Sequence, residues 1–355
     1  ILKILPMTKM APVNVRLNPV GFVVFLVLGL SLAFYIFGLP KWFREEERVS
    51  MREVLSVSID LAQRGGIKVK EVAEMHKLNP VSKGKTKEGK DELKTQGDLQ
   101  SHKAIVYGFS KAYPGMKVIS EEHDTAPIDL AVVPEVNKHL KEVLDNVVSD
   151  QSIPVSQITI WIDPLDATEE YKDELYEYVT TMVCVAVKGN PVIGVIHKPF
   201  YKETAWAWVG YGHSKNLDKT SPETNAKKTP KIIASRSHPG QIEGVVHESL
   251  GTDAIVTPAG GAGYKTLEVI RGNADAYIHV TAIKKWDICA GNALLSALDG
   301  KMTTINGRNI IDYSPHDSPV NSEGLLATMN NHNDYLDKLE PVVTKLMEEK
   351  KVKKT

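Results

Sequence analysis

Two cysteines in 355 residues, Cys184 and Cys289, are too few for a disulfide framework, so a chain of this length must rely on an apolar core. Both sit in apolar segments and read as small buried hydrophobes. Neither lies in a nucleophile motif, which argues against thiol-based covalent catalysis. A basic excess is missing too: 43 Lys and Arg face 44 Asp and Glu, a formal net charge of −1, which speaks against a polynucleotide binder. There is no Asn-x-Ser/Thr acceptor, so glycosylation gives no sign of a lumenal or extracellular side. No internal repeat is present, and 25% charged residues fit a globular chain rather than a disordered one.

Charge is also absent from residues 19–39, a run dominated by Val, Leu, Phe and Ile that is long enough to cross a bilayer as one helix. A buried helix of the catalytic core is the alternative, but apolar side chains on every face fit lipid better. No small-x-small cleavage site precedes the charged stretch from Lys41 to Arg48, so the expectation is an uncleaved signal anchor. Lys3, Lys9 and Arg16 on one side balance Lys41, Arg44 and Arg48 on the other, so charge leaves the orientation open. Met10-Ala11-Pro12 resembles an initiator context and sets residues 1–9 apart from the expected native start.

What is present is a set of acids at the ends of apolar segments. Trp161-Ile162-Asp163-Pro164-Leu165-Asp166-Ala167-Thr168 reads as a buried strand from Ile158 to Ile162 that stops at Pro164 and delivers two carboxylates to a turn. Carboxylates that close repel one another unless a cation lies between them, and Mg²⁺ suits a few carboxylate oxygens plus a substrate phosphate. Taken alone, Asp163 and Asp166 are ordinary turn residues. The design recurs, however, in Val118-Ile119-Ser120-Glu121-Glu122, in Trp286-Asp287 at the head of an apolar helical pattern, and in Thr95-Gln96-Gly97-Asp98 before another.

These four motifs, in this order, resemble the inositol monophosphatase-like superfamily of lithium-sensitive, magnesium-dependent phosphatases over about residues 50–348. Ala167 departs from the pattern, since most members have glycine there. Glu169-Glu170-Tyr171, Ser235-Arg236-Ser237-His238 and Gly260-Gly261-Ala262-Gly263-Tyr264-Lys265 are most similar to the 3′-phosphoadenosine 5′-phosphate phosphatases and their membrane-anchored Golgi branch. A lone glycine run is as often a capping device as a phosphate site, and a lone His238 is more often a packed or surface residue; their company favours a ligand.

The resemblance implies an α/β, layered αβαβα sandwich of the inositol monophosphatase/fructose-1,6-bisphosphatase type behind one transmembrane helix. It implies Glu121, Asp163 and the Leu165 carbonyl on one Mg²⁺, and Asp163, Asp166 and Asp287 on a second. Asp98 and Thr168 would orient and deprotonate the attacking water, with a third, weaker metal as an option. Ser235, His238, Gly261 and Lys265 would hold the nucleotide. The implied activity is conversion of adenosine 3′,5′-bisphosphate to AMP and phosphate in the Golgi lumen, sustaining glycosaminoglycan sulfation. An inositol polyphosphate 1-phosphatase or monophosphatase is the rival activity, and a silent nucleotide-binding membrane protein the rival class. Oligomeric state is left open.

The expected organisation is a tail (1–18), an anchor (19–39), a linker (40–50) and a catalytic domain (51–350) whose halves span about 51–215 and 228–350. Patterning predicts helices at 51–64, 99–112, 264–270 and 335–349, and strands at 117–120, 158–162, 180–187, 191–197, 204–209, 231–234, 254–257 and 325–328. The glycine- and lysine-rich run 82–90 reads as a solvated loop able to close over an anionic substrate. Residues 124–157 are the least patterned segment.

Overall fold

In the computed structural model the described residues are 18–37, 46–85, 91–124, 127–217, 229–237, 241–316 and 318–352. Contacts divide the chain into residues 1–46 and 47–355. The first unit carries helix α1 (Pro19–Phe37), apolar throughout and uncharged. Among the described residues, no helix is long and apolar enough to cross a membrane.

The second unit opens with β1 (Arg48–Ser50) and α2 (Met51–Glu74), where Ser50 Oγ accepts the Glu53 amide at 3.1 Å as an N-cap. A short ribbon follows, β2 (Val81–Lys85) antiparallel to β3 (Asp91–Lys94), and then α3 (Gln96–Ala112). The expected loop at 82–90 is therefore strand on both sides, with 86–90 outside the described residues. β4 (Lys117–Ser120), α4 (Lys141–Asn146), β5 (Ser152–Pro154), β6 (Ile158–Asp166), α5 (Thr168–Lys172), β7 (Thr180–Val187), β8 (Asn190–Lys198), β9 (Glu203–Trp208) and β10 (Gly212–His213) complete the first half. Its main sheet runs β10-β9-β8-β7-β6-β4, with only the β4–β6 pair parallel.

The second half alternates β11 (Lys231–Ser235), α6 (Ile242–Leu250), β12 (Ile255–Ala259), α7 (Ala262–Ile270), β13 (Ala276–His279), β14 (Ile283–Lys284), α8 (Lys285–Ala297) and β15 (Lys301–Thr303). It ends with β16 (Val320–Asn321), β17 (Leu325–Thr328) and α9 (His332–Val352). The second sheet is ordered β12-β11-β13-β17-β15.

Side-chain alternation explains the layering. Met182, Cys184 and Ala186 of β7 join one core with Ile288, Ala290 and Leu294 of α8, while Val183 and Val185 join another with Leu55, Ile59 and Phe109 of α2 and α3. A strand buried on both faces reads as a continuous apolar run, which is why β6 and β7 stood out in the sequence. A third core packs Ile232, Ile278 and Leu326 of the second sheet on Val246 of α6 and Leu339 and Val343 of α9. The stack is thus α2/α3, sheet, α7/α8, sheet, α6/α9, the expected αβαβα sandwich.

Two expectations need correction. Pro164 does not end its strand: β6 continues to Asp166 through a register shift, because Asp163 pairs with Met182 and Asp166 with Thr180. A bulge tolerates a residue without an N–H, and it swings the next carboxylate. The cysteines are not separate thiols either, since Cys184 of β7 and Cys289 of α8 form a disulfide across 105 residues. They lie in elements that one core presses together, a proximity that spacing along the chain does not reveal.

The helix α8 comes unusually near the sheet at Gly194, where an added Cβ would sit 2.2 Å from the Ala290 carbonyl oxygen. Gly194→Ala is therefore expected to lower unfolding stability by about 2–3 kcal/mol in urea titrations. Gly244→Ala, on helix α6 with no atom within 4 Å of the new methyl, should instead raise it by up to about 1 kcal/mol. Equal effects at the two positions would contradict this packing.

Candidate active site

Three acids converge where the first sheet meets α8. Glu121 follows β4, Asp163 sits at the β6 bulge and Asp287 lies in the first turn of α8, and one carboxylate oxygen from each lies within 4.8 Å of the others. Burial first, then the neighbouring negative charges, drives the Asp163 and Asp287 carboxyls well above their ordinary values. Such an all-oxygen cluster fits a hard divalent cation, which would reverse that shift.

Asp166 lies beside the cluster but outside the triad. Its Oδ2 accepts the Gly263 amide at 2.8 Å and the Thr180 hydroxyl at 3.3 Å, tying the β6 bulge to the N-terminus of α7. The Leu165 carbonyl accepts the Thr168 hydroxyl at 3.3 Å, and the Leu165 amide donates to Asp163 Oδ1 at 3.2 Å. Between Asp166 and Thr168 the chain turns through Ala167 at φ 70°, a left-handed conformation. Glycine would adopt it without strain, which accounts for that residue elsewhere in the resemblance.

Asp98 and Thr168 meet as expected: the Thr168 hydroxyl donates to Asp98 Oδ1 at 3.1 Å. Asp98 is held from its other side by the Thr95 amide at 2.7 Å and the Thr95 hydroxyl at 2.5 Å, the capping box of α3. Burial raises its pKa to about 7, Thr95 opposes the shift, and Glu121 adds to it. A carboxylate at that value, bonded to a hydroxyl, suits general-base work near neutrality.

The second half supplies the other wall of a cavity of about 530 Å³ that contains the acids. Ser235, at the end of β11, lines it and is 8% exposed. Gly261 takes φ +61°, and a Cβ there would stand 2.7 Å from the Tyr178 carbonyl oxygen, so glycine is required. Lys265 also lines the cavity, yet its ammonium turns back to the carbonyls of Gly261 at 2.5 Å and Ala259 at 3.3 Å. Burial lowers its pKa to about 8 against the pull of Asp166 and Glu170. It therefore holds the glycine turn closed as well as facing the cavity. His238 lies outside the described residues.

Some participants were not singled out by sequence reasoning. Lys83, on the β2–β3 ribbon, bonds Glu121 at 2.6 Å and Glu122 at 2.7 Å, while Lys94 bonds Glu122 at 2.8 Å. Burial disfavours the Lys83 ammonium, but the two carboxylates outweigh it and raise its pKa. The only signal had been the lysine richness of that run. Glu170 and Arg236, quoted within motifs, form an ion pair at 3.2 Å.

Residues 50–344 match the inositol monophosphatase family. A Danio rerio protein named inositol monophosphatase 3 is 45% identical over 348 residues, covering 94% of this chain and 98% of its own. The Homo sapiens Golgi-resident adenosine 3′,5′-bisphosphate 3′-phosphatase is 42% identical over 358 residues, covering 93% and 98%. Among solved structures, the extragenic suppressor protein suhB from Bartonella henselae superposes with a TM-score of 0.60 at 21% identity, covering 82% and 98%.

The raised Asp98 pKa has a consequence for stability. Its ordinary value is 3.8 and its folded value about 7, so the native state binds this proton more tightly than the unfolded one. That contribution is full below about pH 4 and is lost as pH rises through about 7. In the presence of a chelator, the melting temperature should fall between pH 5 and 8. Added Mg²⁺ should raise it more at pH 8, where the acids are charged, than at pH 5. A Mg²⁺ effect that is larger at pH 5 would contradict the cluster as a metal site.

Proposed function

Because the chain belongs to the inositol monophosphatase family and is a phosphoric monoester hydrolase, we propose that it removes the 3′-phosphate of adenosine 3′,5′-bisphosphate, yielding AMP and phosphate. The observation that carries the reading is the acid triad set beside the Asp98–Thr168 pair, facing Ser235 and the glycine turn across one cavity. Glu121, Asp163 and the Leu165 carbonyl would hold one Mg²⁺, and Asp163, Asp166 and Asp287 a second. Bound Mg²⁺ supplies neutralisation of the phosphoryl oxygens and acidification of the attacking water. Asp98, through the Thr168 hydroxyl, orients that water and accepts its proton. A third, weaker ion would sit by this pair. Ser235, His238, Gly261 and Lys265 hold the nucleotide.

The setting proposed is a Golgi membrane, with residues 19–39 as anchor, 40–50 as linker and the catalytic domain (51–350) in the lumen, where it would clear a by-product of sulfation. The Golgi residence of the human relative supports this assignment. The disulfide suits an oxidising lumen better than the cytosol. A second reading, hydrolysis of inositol phosphates, draws on the name of the Danio rerio relative.

Phosphate release from adenosine 3′,5′-bisphosphate and from inositol 1,4-bisphosphate separates the two. The nucleotide is expected to have the higher kcat/KM by at least about tenfold, and the reverse order would favour the second reading. Asp163→Asn should lower kcat by about two or more orders of magnitude, the scale expected for loss of a carboxylate that would hold the metal. Near-normal turnover in saturating Mg²⁺ would end that assignment. Li⁺ at millimolar concentration should inhibit uncompetitively, and full activity in high Li⁺ would count against the metal mechanism.

A further inference from the structure

A buried carboxylate that belongs to neither the metal cluster nor the water-activating pair stands in the wall of a cavity meant for a polyanion. Glu170, on α5 directly after the metal loop, is 2% exposed and lines the cavity. It accepts Arg236 Nε at 3.3 Å and Nη2 at 3.2 Å. The backbone at Gly260 lies against the same carboxyl, since a Cβ there would come within 2.5 Å of Glu170 Cδ. One side chain of the first half thus touches two segments of the second whose residues line the cavity, the turn after β11 and the glycine turn before α7. An uncompensated carboxylate here would repel an anionic ligand. Paired with Arg236, it becomes a grip on a guanidinium that also lies over the Tyr178 ring at 6.0 Å and keeps 37% of its side chain exposed.

We propose that Glu170 is a positioning residue for substrate selection: it fixes Arg236 so that the guanidinium's outward N–H donors meet the phosphate that is not hydrolysed. Glu170 takes one edge of the planar fork, which leaves the other edge for a second bidentate partner such as a phosphate. A guanidinium held in advance loses little further freedom on binding, so the pair favours substrates with a second anionic group. This inference rests on the nucleotide reading above, in which the substrate carries two separated phosphates.

The test compares adenosine 3′,5′-bisphosphate with adenosine 3′-monophosphate, which has the same reacting phosphate and lacks the second. Glu170→Gln keeps the shape and removes the charge. It should raise KM for the bisphosphate by about tenfold and shrink the preference over the monophosphate by the same factor, with kcat affected far less. Arg236→Gln should do the same, and the double variant should be no worse than Arg236→Gln alone, as expected of one coupled unit. If Glu170→Gln fails to fold, Glu170→Asp, which retains the charge, should keep more of the preference than Glu170→Ala. Equal losses on both substrates, or additive losses in the double variant, would overturn the role of Glu170 alone. A wild type that does not prefer the bisphosphate would overturn the nucleotide reading, and the inference with it.

Discussion

Glu121, Asp163 and Asp287 arrive at one buried point from three separate elements, and each carboxylate raises the energy of the others. At such separations, a pair of like charges costs about 3–4 kcal/mol at an effective dielectric near 20. Much around them answers that repulsion. The β2–β3 ribbon brings Lys83 onto Glu121, helix α7 offers its Gly263 amide to Asp166, and the Lys284 amide donates to Asp287 at 3.1 Å. The bulge in β6 is part of the same arrangement, because it lets Asp163 and Asp166 both reach the site from one strand.

The parts of the site that were legible in the sequence are those in which a local pattern carries the chemistry. An apolar run that ends in acids marks a strand buried on both faces, and the position of Asp287 before Ile288 and Leu294 marks a helix start. The parts that were not legible depend on distance. Cys184 and Cys289 meet only because β7 and α8 share a core. Glu170 and Arg236 lie 66 residues apart, with nothing in either neighbourhood to announce the other. The ribbon was missed for another reason: Ser82, Lys83, Gly84 and Lys85 are polar residues or glycine, so no apolar alternation betrays the strand. Pro164 misled because a proline usually ends a strand, and here the bulge absorbs it.

Lys265 shows how one side chain can serve structure and site together. Its ammonium closes the glycine turn through two carbonyls while standing opposite Asp166. Gly260 and Gly261 then approach Glu170, Tyr178 and Asp166 more closely than any side chain would allow. The second half is therefore joined to the first by backbone contact at the cavity itself, not only by the apolar layer behind it.

The scattering of the acids along the chain bears on how the protein matures during synthesis. Glu121 and Asp163 leave the ribosome long before Asp287, a delay of about six to thirty seconds at usual elongation rates. Throughout that interval the first sheet can pair its strands, but α8, which fills the layer between the two sheets and carries the third acid, does not yet exist. A divalent ion met by the nascent chain finds an incomplete set of ligands and no closing wall. Any metal held by the three acids would thus be captured late in the birth of the molecule, with the docking of its second half.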